Sequence, residues 1–305
     1  MKIVFMGTPD FAVPILEALH EKYEIVLVIS QPNRLKKKGV WIDTPVAHKA
    51  KELKLSLLQP EKVSDISDMI YQLKADVLVT AAYGQYVPSK ILNQFKKTLN
   101  VHGSLLPKYR GGAPIQRAIK NKEYQTGVTI IEMAKKLDSG VMYAKRACDI
   151  SDTDTSTMVF ERLSFLGRDL LLEVIEDVYH EKNKGVVQNE REVTYAPNLE
   201  PEEEYVDFNR SSLEVVRHIH SLADEPGATI IFKENRIKVY KASIVSDCSD
   251  YLPGTILSLK KQILIKTLDG AVQIHELLVP GKKKMKTIDF LNGQKIFHEF
   301  DVISS

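Results

Sequence analysis

Cysteine is nearly absent from this chain. Cys148 and Cys248 are the two it has in 305 residues, and they lie far apart. That excludes a disulfide framework, and no zinc-ligand spacing is present; a reducing cytoplasm is the expected setting. Long apolar runs are missing too. None reaches the ~18 residues that would cross a bilayer, so no membrane partner is expected. The opening Met1–Gly7 stretch carries one lysine and a short apolar run before Pro9 and Asp10, which reads as a buried strand and not as a signal peptide. Charge of one sign is also lacking. A net charge of +2 gives no global field for nucleic acid, so any such role must come from local patches. Glycine-rich phosphate loops are incomplete. Gly7 stands alone in "MGTPDFAVP" and serves best as a tight strand-to-helix turn, and "VPGKKKMK" (279 to 286) lacks both the leading glycine and the Ser/Thr after lysine. It reads as a solvated basic hairpin. There is no internal repeat.

What is present is a globular composition, 44% hydrophobic and 27% charged, long enough for two domains. Strand-like runs occur at Ile3–Met6, Ile25–Ile29, Ser56–Leu58, Val77–Thr80, Thr98–His102 and Val128–Ile131. Helical patterns alternate with them at Ala12–His20, Val46–Leu53, Asp65–Leu73 and Pro114–Ile119, and a long amphipathic helix follows over Thr155–Lys182. The alternation predicts an α/β fold: a Rossmann-like, mostly parallel sheet with helices on both faces. From about Val206 the pattern changes to short strands with tight turns, Asp269-Gly270 among them, and one helix at Ser211–Leu222. That predicts a small C-terminal β-barrel of the oligonucleotide-binding (OB-like) type. The expected division is 1–184, a polar linker at 185–204 containing Pro197 and Pro201, and 205–305.

The segment "NVHGSLLPKYRGGAPIQRAI" (100 to 119) holds the candidate chemistry. Asn100 and His102 are two apart at the carboxyl end of a strand, where ligands bind in open α/β sheets, and alternation puts both on one side. The amide can donate, and the imidazole can give or take a proton. Asp138, in the loop "KKLDSGVMY" after the next strand, is placed to reach the same mouth. An oxyanion donor, a proton shuttle and a carboxylate to orient it are what group transfer to an amine requires. The alternative is a turn in which Asn100 and His102 simply cap backbone groups.

These residues resemble the folate-dependent formyltransferase family, which carries Asn-x-His, then Ser-Leu-Leu-Pro, then a later Leu-Asp-x-Gly. Here they stand as Asn100, His102, Ser104–Pro107 and Leu137–Gly140. The resemblance runs nearly end to end: "FMGTPDFAVPIL", "SQPNR", "AAYGQYVP", "TYAPNLEPEEEYVDF" and "PGKKKM" follow in family order. It implies 10-formyltetrahydrofolate as formyl donor and the α-amine of initiator methionyl-tRNA as acceptor, with no metal, and a chain acting as a monomer. It implies that Asn100 holds the formyl oxygen, that His102 adds a second donor and protonates the leaving nitrogen, and that Asp138 charges His102 and guides the amine's proton. The folate would lie along Tyr83, Gly84, Gln85, Val87, Pro88 and Ile91, with Ser104, Leu105, Leu106 and Pro107 completing its site. The basic loop at Arg34, Lys36, Lys37, Lys38 and Trp41 would meet tRNA, although a charge run of this kind is otherwise a solvated surface loop. Two rivals remain: a formyltransferase acting on an amino sugar nucleotide, and a non-catalytic RNA-binding relative.

Overall fold

The structure, a computed structural model, describes residues 1–36, 40–233, 235–293 and 296–303. The chain forms two compact units. The first comprises Met1–Pro114, Gln125–Asp149 and Phe160–Pro197, and the second comprises Ile115–Tyr124, Ile150–Val159 and Asn198–Ser305.

In the first unit the strands are β1 (Lys2–Gly7), β2 (Glu24–Ile29), β3 (Arg34–Lys36), β4 (Val40–Ile42), β5 (Leu57–Leu58), β6 (Val77–Ala81), β7 (Lys97–His102), β8 (Gln125–Glu132) and β9 (Met142–Asp149). Helices of this unit are α1 (Val13–Lys22), α2 (Pro45–Glu52), α3 (Ser67–Gln72), α4 (Ser89–Leu92) and, from Phe160 onward, α6 (Ser156–Tyr179), while α5 (Pro114–Lys120) belongs to the second unit from Ile115 on. Seven strands form one sheet in the order β5-β2-β1-β6-β7-β8-β9. The first five are parallel, whereas β7–β8 and β8–β9 pair antiparallel. The sheet is therefore mostly parallel, as the uninterrupted apolar runs imply: Ile3, Val4, Phe5 and Met6 are all fully buried, which requires cover on both faces. Strand β9 escapes the sequence reading because every second residue faces water, leaving "MYAKRACD" without an apolar run.

Sheet register decides where the chemistry sits. Met6 pairs with Thr80 and Thr80 with Asn100, so these three share a face. On that face Val4, Met6, Leu27, Leu78, Ile70 and Ile91 form a core. Val101 lies on the opposite face, where a Cβ at Gly167 of α6 would come within 2.7 Å of it. Asn100 and His102 thus point away from α6, at the carboxyl end of β7. Helix α2 starts where Thr44 caps it by accepting from the Ala47 N–H at 3.2 Å, with Pro45 in the first turn.

Residues 185–197 are hydrogen-bonded along the first unit. Arg110 N–H donates to Thr194 O at 2.9 Å, Ala196 N–H to Arg110 O at 2.7 Å and Ala113 N–H to Ala196 O at 3.1 Å. Backbone pairing of this kind leaves no apolar signature, so the composition of the segment gives no sign of it.

In the second unit α7 (Ser212–Ser221) opens with a capping box between Ser211 and Glu214. Strands β10 (Ala228–Phe232), β11 (Asn235–Val245), β12 (Ile256–Ser258), β13 (Ile263–Lys266), β14 (Ala271–Leu278) and β15 (Met285–Lys286) form an antiparallel half-barrel, ordered β10-β11-β14-β13-β12 with β15 on β14. Helix α8 (Thr287–Gly293) follows. The predicted turn at Asp269-Gly270 closes β13–β14, and Asp269 Oδ1 also accepts the Ser212 N–H at 2.7 Å, tying it to the start of α7. Phe208, Ile219, Ile265, Phe290 and Phe297 lie in the apolar interior.

Candidate active site

Three side chains predicted to act together do meet. Asp138 Oδ1 lies 3.5 Å from Asn100 Nδ2, and its Oδ2 lies 3.6 Å from His102 Nδ1. The second distance suits an ion pair and is too long for a hydrogen bond. His102 and Asp138 are nearly enclosed, with side chains 7% and 10% exposed. Two ties fix the pair. The Gly111 N–H donates to Asp138 Oδ2 at 2.9 Å, and His102 Nε2 lies 3.0 Å from the Tyr109 carbonyl. A carbonyl only accepts, so the neutral ring carries its proton on Nε2. Nδ1, facing Asp138, is then the position that gains or loses a proton.

Asn100 is oriented as well. Thr80 Oγ1 donates to Asn100 Oδ1 at 2.9 Å, which turns the Nδ2 end toward Asp138. Asp138 itself holds φ +48°, in the left-handed region, and Gly140 permits no side chain because a Cβ there would sit 1.7 Å from Glu132 O. The loop between β8 and β9 is therefore closed tightly against β8, and this delivers the carboxylate to the end of β7.

The expected folate segment follows β6. Ala82 and Gly84 take φ of +45° and +86°. The Tyr83 carbonyl accepts from Thr8 Oγ1 at 2.8 Å and Gln31 Nε2 at 3.1 Å. The Tyr83 hydroxyl is buried without a hydrogen-bond partner, and burial pushes its pKa up to about 12, so it stays protonated. Gln85 spends its amide on the neighbouring loop, donating to Pro60 O at 3.2 Å and accepting from Val63 N–H at 3.0 Å. Val87 and Ile91 sit in the apolar core beside Leu78, and Pro88 caps α4. The turn from Ser104 to Pro107 is anchored internally. Ser104 Oγ donates to Lys108 O at 2.7 Å, Thr129 Oγ1 to Ser104 O at 2.7 Å, and Leu106 N–H to Thr129 Oγ1 at 3.1 Å. Leu106 packs on Ile131 and Met142, while Leu105 fills the space a side chain at Gly127 would need.

Of the basic loop, Arg34 and Lys36 lie on β3, and Lys37 and Lys38 lie outside the described residues. Strand β3 pairs with β4 as a two-stranded ribbon in which Leu35 is in register with Trp41, whose side chain is 65% exposed. Asn33 anchors the base of the ribbon: its Nδ2 donates to Asp43 Oδ1 and its Oδ1 accepts from Gln59 Nε2, both at 2.6 Å.

Over residues 1–175 the sequence matches the formyl transferase family, and over 198–295 it matches the formyl transferase C-terminal domain. The chain belongs to the formyl transferase family. A methionyl-tRNA formyltransferase of Streptococcus pneumoniae (strain Hungary19A-6) is 41% identical over 298 residues, covering 96% of this chain and 95% of its own. Among solved structures, the N-formyltransferase from Helicobacter canadensis in complex with folinic acid and dTDP-3-aminofucose superposes with a TM-score of 0.70 at 19% identity, covering 90% of this chain and 98% of that one. Methionyl-tRNA formyltransferase from Clostridium thermocellum gives 0.57 at 16% identity, covering 80% and 94%. At such identities the structural matches speak for the formyl transferase fold, a mostly parallel sheet followed by an antiparallel half-barrel.

Sequence reasoning had no means of finding Thr80, Arg110 or Gln188. Thr80 reads as one more β-branched strand residue, Arg110 as a surface cation and Gln188 as part of a polar stretch. Among the described residues no group of three or more His, Cys, Asp or Glu could hold a metal ion, and no helix is long and apolar enough to cross a membrane.

Proposed function

We propose that this chain transfers the formyl group of 10-formyltetrahydrofolate to the α-amine of initiator methionyl-tRNA, acting as a monomer in the cytoplasm to support translation initiation. Residues 1–184 carry the chemistry and 205–305 add nucleic-acid surface, with 185–204 between them. The observation that carries the reading is the Asp138 carboxylate set between the Asn100 amide and the His102 ring, in a chain of this kinship.

The amine nitrogen bonds to the formyl carbon, the bond from that carbon to the folate nitrogen breaks, the amine loses a proton and the folate nitrogen gains one. Asn100 Nδ2 donates to the formyl oxygen as negative charge develops there, because its Oδ1 is already engaged by Thr80. Asp138 accepts the amine's proton toward His102 Nδ1, and the ring returns it to the leaving nitrogen. The unpartnered Tyr83 hydroxyl fits this donor, since a pterin edge offers the polar partner that the buried group lacks. The test offers labelled formylfolate to the purified protein with methionyl-tRNA and, in parallel, with an amino sugar nucleotide. Label on the tRNA is expected; label on the sugar alone overturns the acceptor, and label on neither overturns the activity.

A further inference from the structure

We infer that Arg110 and Gln188 are positioning residues that set the Asp138 carboxylate against His102. Arg110 is fully buried, and a buried guanidinium is tolerated only when it is paired. Its Nε donates to Gln188 Oε1 at 3.0 Å, and its Nη2 donates to Glu190 Oε1 at 2.7 Å. Gln188, itself 5% exposed, uses both hydrogens of its Nε2 on the catalytic loop: one reaches Asp138 O at 2.7 Å and the other Gly140 O at 2.9 Å. Glu190 closes the ring by accepting from Lys136 Nζ at 2.9 Å on the same loop.

Each link has one workable orientation. Facing two carbonyls, the Gln188 amide must present its nitrogen, and Arg110 Nε holds the oxygen end so that it cannot turn. The carbonyls so held belong to Gly140 and to Asp138 itself, whose left-handed φ of +48° is unfavourable for a residue with a Cβ. The same arginine sits between the two backbone groups that grip the catalytic pair, the Tyr109 carbonyl on His102 and the Gly111 N–H on Asp138. Anchoring Arg110 therefore fixes both partners at once. The charged groups joined to His102 through this ring are Asp138, Lys136, Arg110 and Glu190. Misplacement of a reacting group by ~1 Å can cost ~100-fold in rate, so the ring bears on turnover without touching substrate.

The inference rests on the formyl-transfer reading for its rate, so the test pairs the rate with a readout that needs no substrate. Gln188→Met keeps volume and charge and removes all three bonds. Its kcat should fall about 10- to 100-fold with the KM for formylfolate within about twofold of the parent. At one fixed pH, the NMR signals of the His102 ring should move from their parent positions, because the carboxylate is no longer held beside it. Lost turnover with unmoved His102 signals would reduce the ring to a stability element, and unchanged turnover would overturn the inference whatever the spectrum shows. If the parent transfers formyl to neither acceptor, the proposed function fails while the spectrum still decides the positioning. Should Gln188→Met not fold, Glu190→Ala replaces it: this exposed side chain releases Arg110 and Lys136, and it must lower turnover and move the His102 signals more than Glu192→Ala, which removes the same charge nearby. Equal effects of those two changes would overturn the inference.

Discussion

Thr80 Oγ1 donates to Asn100 Oδ1 across the β6–β7 pair, so a threonine one strand away decides which end of the amide is free. An amide without that donor can rotate and present its oxygen to the developing oxyanion. Thr80→Val keeps the buried shape and deletes the hydroxyl. Its kcat should fall about tenfold, a fraction of the ~100- to 1,000-fold that loss of a whole oxyanion donor costs, while formylfolate binding stays at the parent level. Steady-state kinetics with a folate titration checks both, and an undiminished kcat would remove Thr80 from the chemistry.

Asn100→Ala is the stronger form of the same experiment. Its loss should reach about 3–4 kcal/mol of barrier, seen in kcat and kcat/KM together, because the amide is needed when charge develops and not before. Folate affinity measured by fluorescence or calorimetry should change little. A variant with weakened binding and intact turnover would place Asn100 in ground-state recognition.

The meeting of Asn100, His102 and Asp138 was readable in the sequence, and the contacts that hold them were not. Asn100 and His102 announce themselves because two polar residues at strand spacing have little use at the end of an apolar run. Asp138 follows from the glycine-containing loop it lies in. Strands β1, β2 and β6 were legible as short apolar runs, and β7 through Leu99 and Val101 alternating with polar neighbours. The edge strand β9 was hidden because exposed Lys145, Ala147 and Asp149 alternate with half-buried residues, and the short helix α8 was hidden by the basic turn before it. Gln188 reaches Asp138 across 50 residues of chain, and nothing local distinguishes it from the polar residues around it. Such contacts are specified by the folded backbone, and composition does not record them.

Two histidines in the second unit make its stability depend on pH. Burial pushes His218 and His220 down to about 4 each, and His218 Nε2 and His220 Nδ1 lack partners. Lys120 lowers His218 further, while Glu203, Asp207 and the Glu204 backbone oppose; around His220, Arg217 and Lys241 lower and backbone carbonyls oppose. The folded state holds both rings neutral, whereas the unfolded chain protonates them near 6.5. Stability is thus full above that pH and falls as pH drops from 6.5 toward 4, by about 1.4 kcal/mol per pH unit for each ring. Urea midpoints between pH 7 and 5 should fall accordingly, and the double change His218→Gln, His220→Gln should flatten the slope. An equal slope in the double variant would assign the dependence to other groups, among them His275, which burial also lowers.

The β3–β4 ribbon is where tRNA contact is expected, and salt can separate its parts. If Lys36, Lys37 and Lys38 neutralise phosphates, each releases counterions, and log affinity falls with log salt by about 0.9 per duplex phosphate contact. Replacing all three with alanine should flatten that slope by up to about three such contacts, with little regard for tRNA sequence, since phosphate contacts position without specifying. Trp41 should behave differently. It stands 65% exposed opposite Leu35, an aromatic face free to stack on an unpaired base. Trp41→Ala should weaken binding by about 1–3 kcal/mol and leave the salt slope unchanged, because stacking releases no ions. Arg34, whose planar fork can pair or stack near the amino-acid end, should cost turnover more than binding when changed to alanine, by misplacing the amine at Asn100 and His102. Formylfolate hydrolysis without tRNA should match the parent in every variant, since none touches the catalytic pair. A salt series of tRNA binding run beside formyl transfer reads all of these at once. Identical slopes, affinities and rates across the set would mean that the ribbon is solvated surface and that the acceptor is recognised elsewhere.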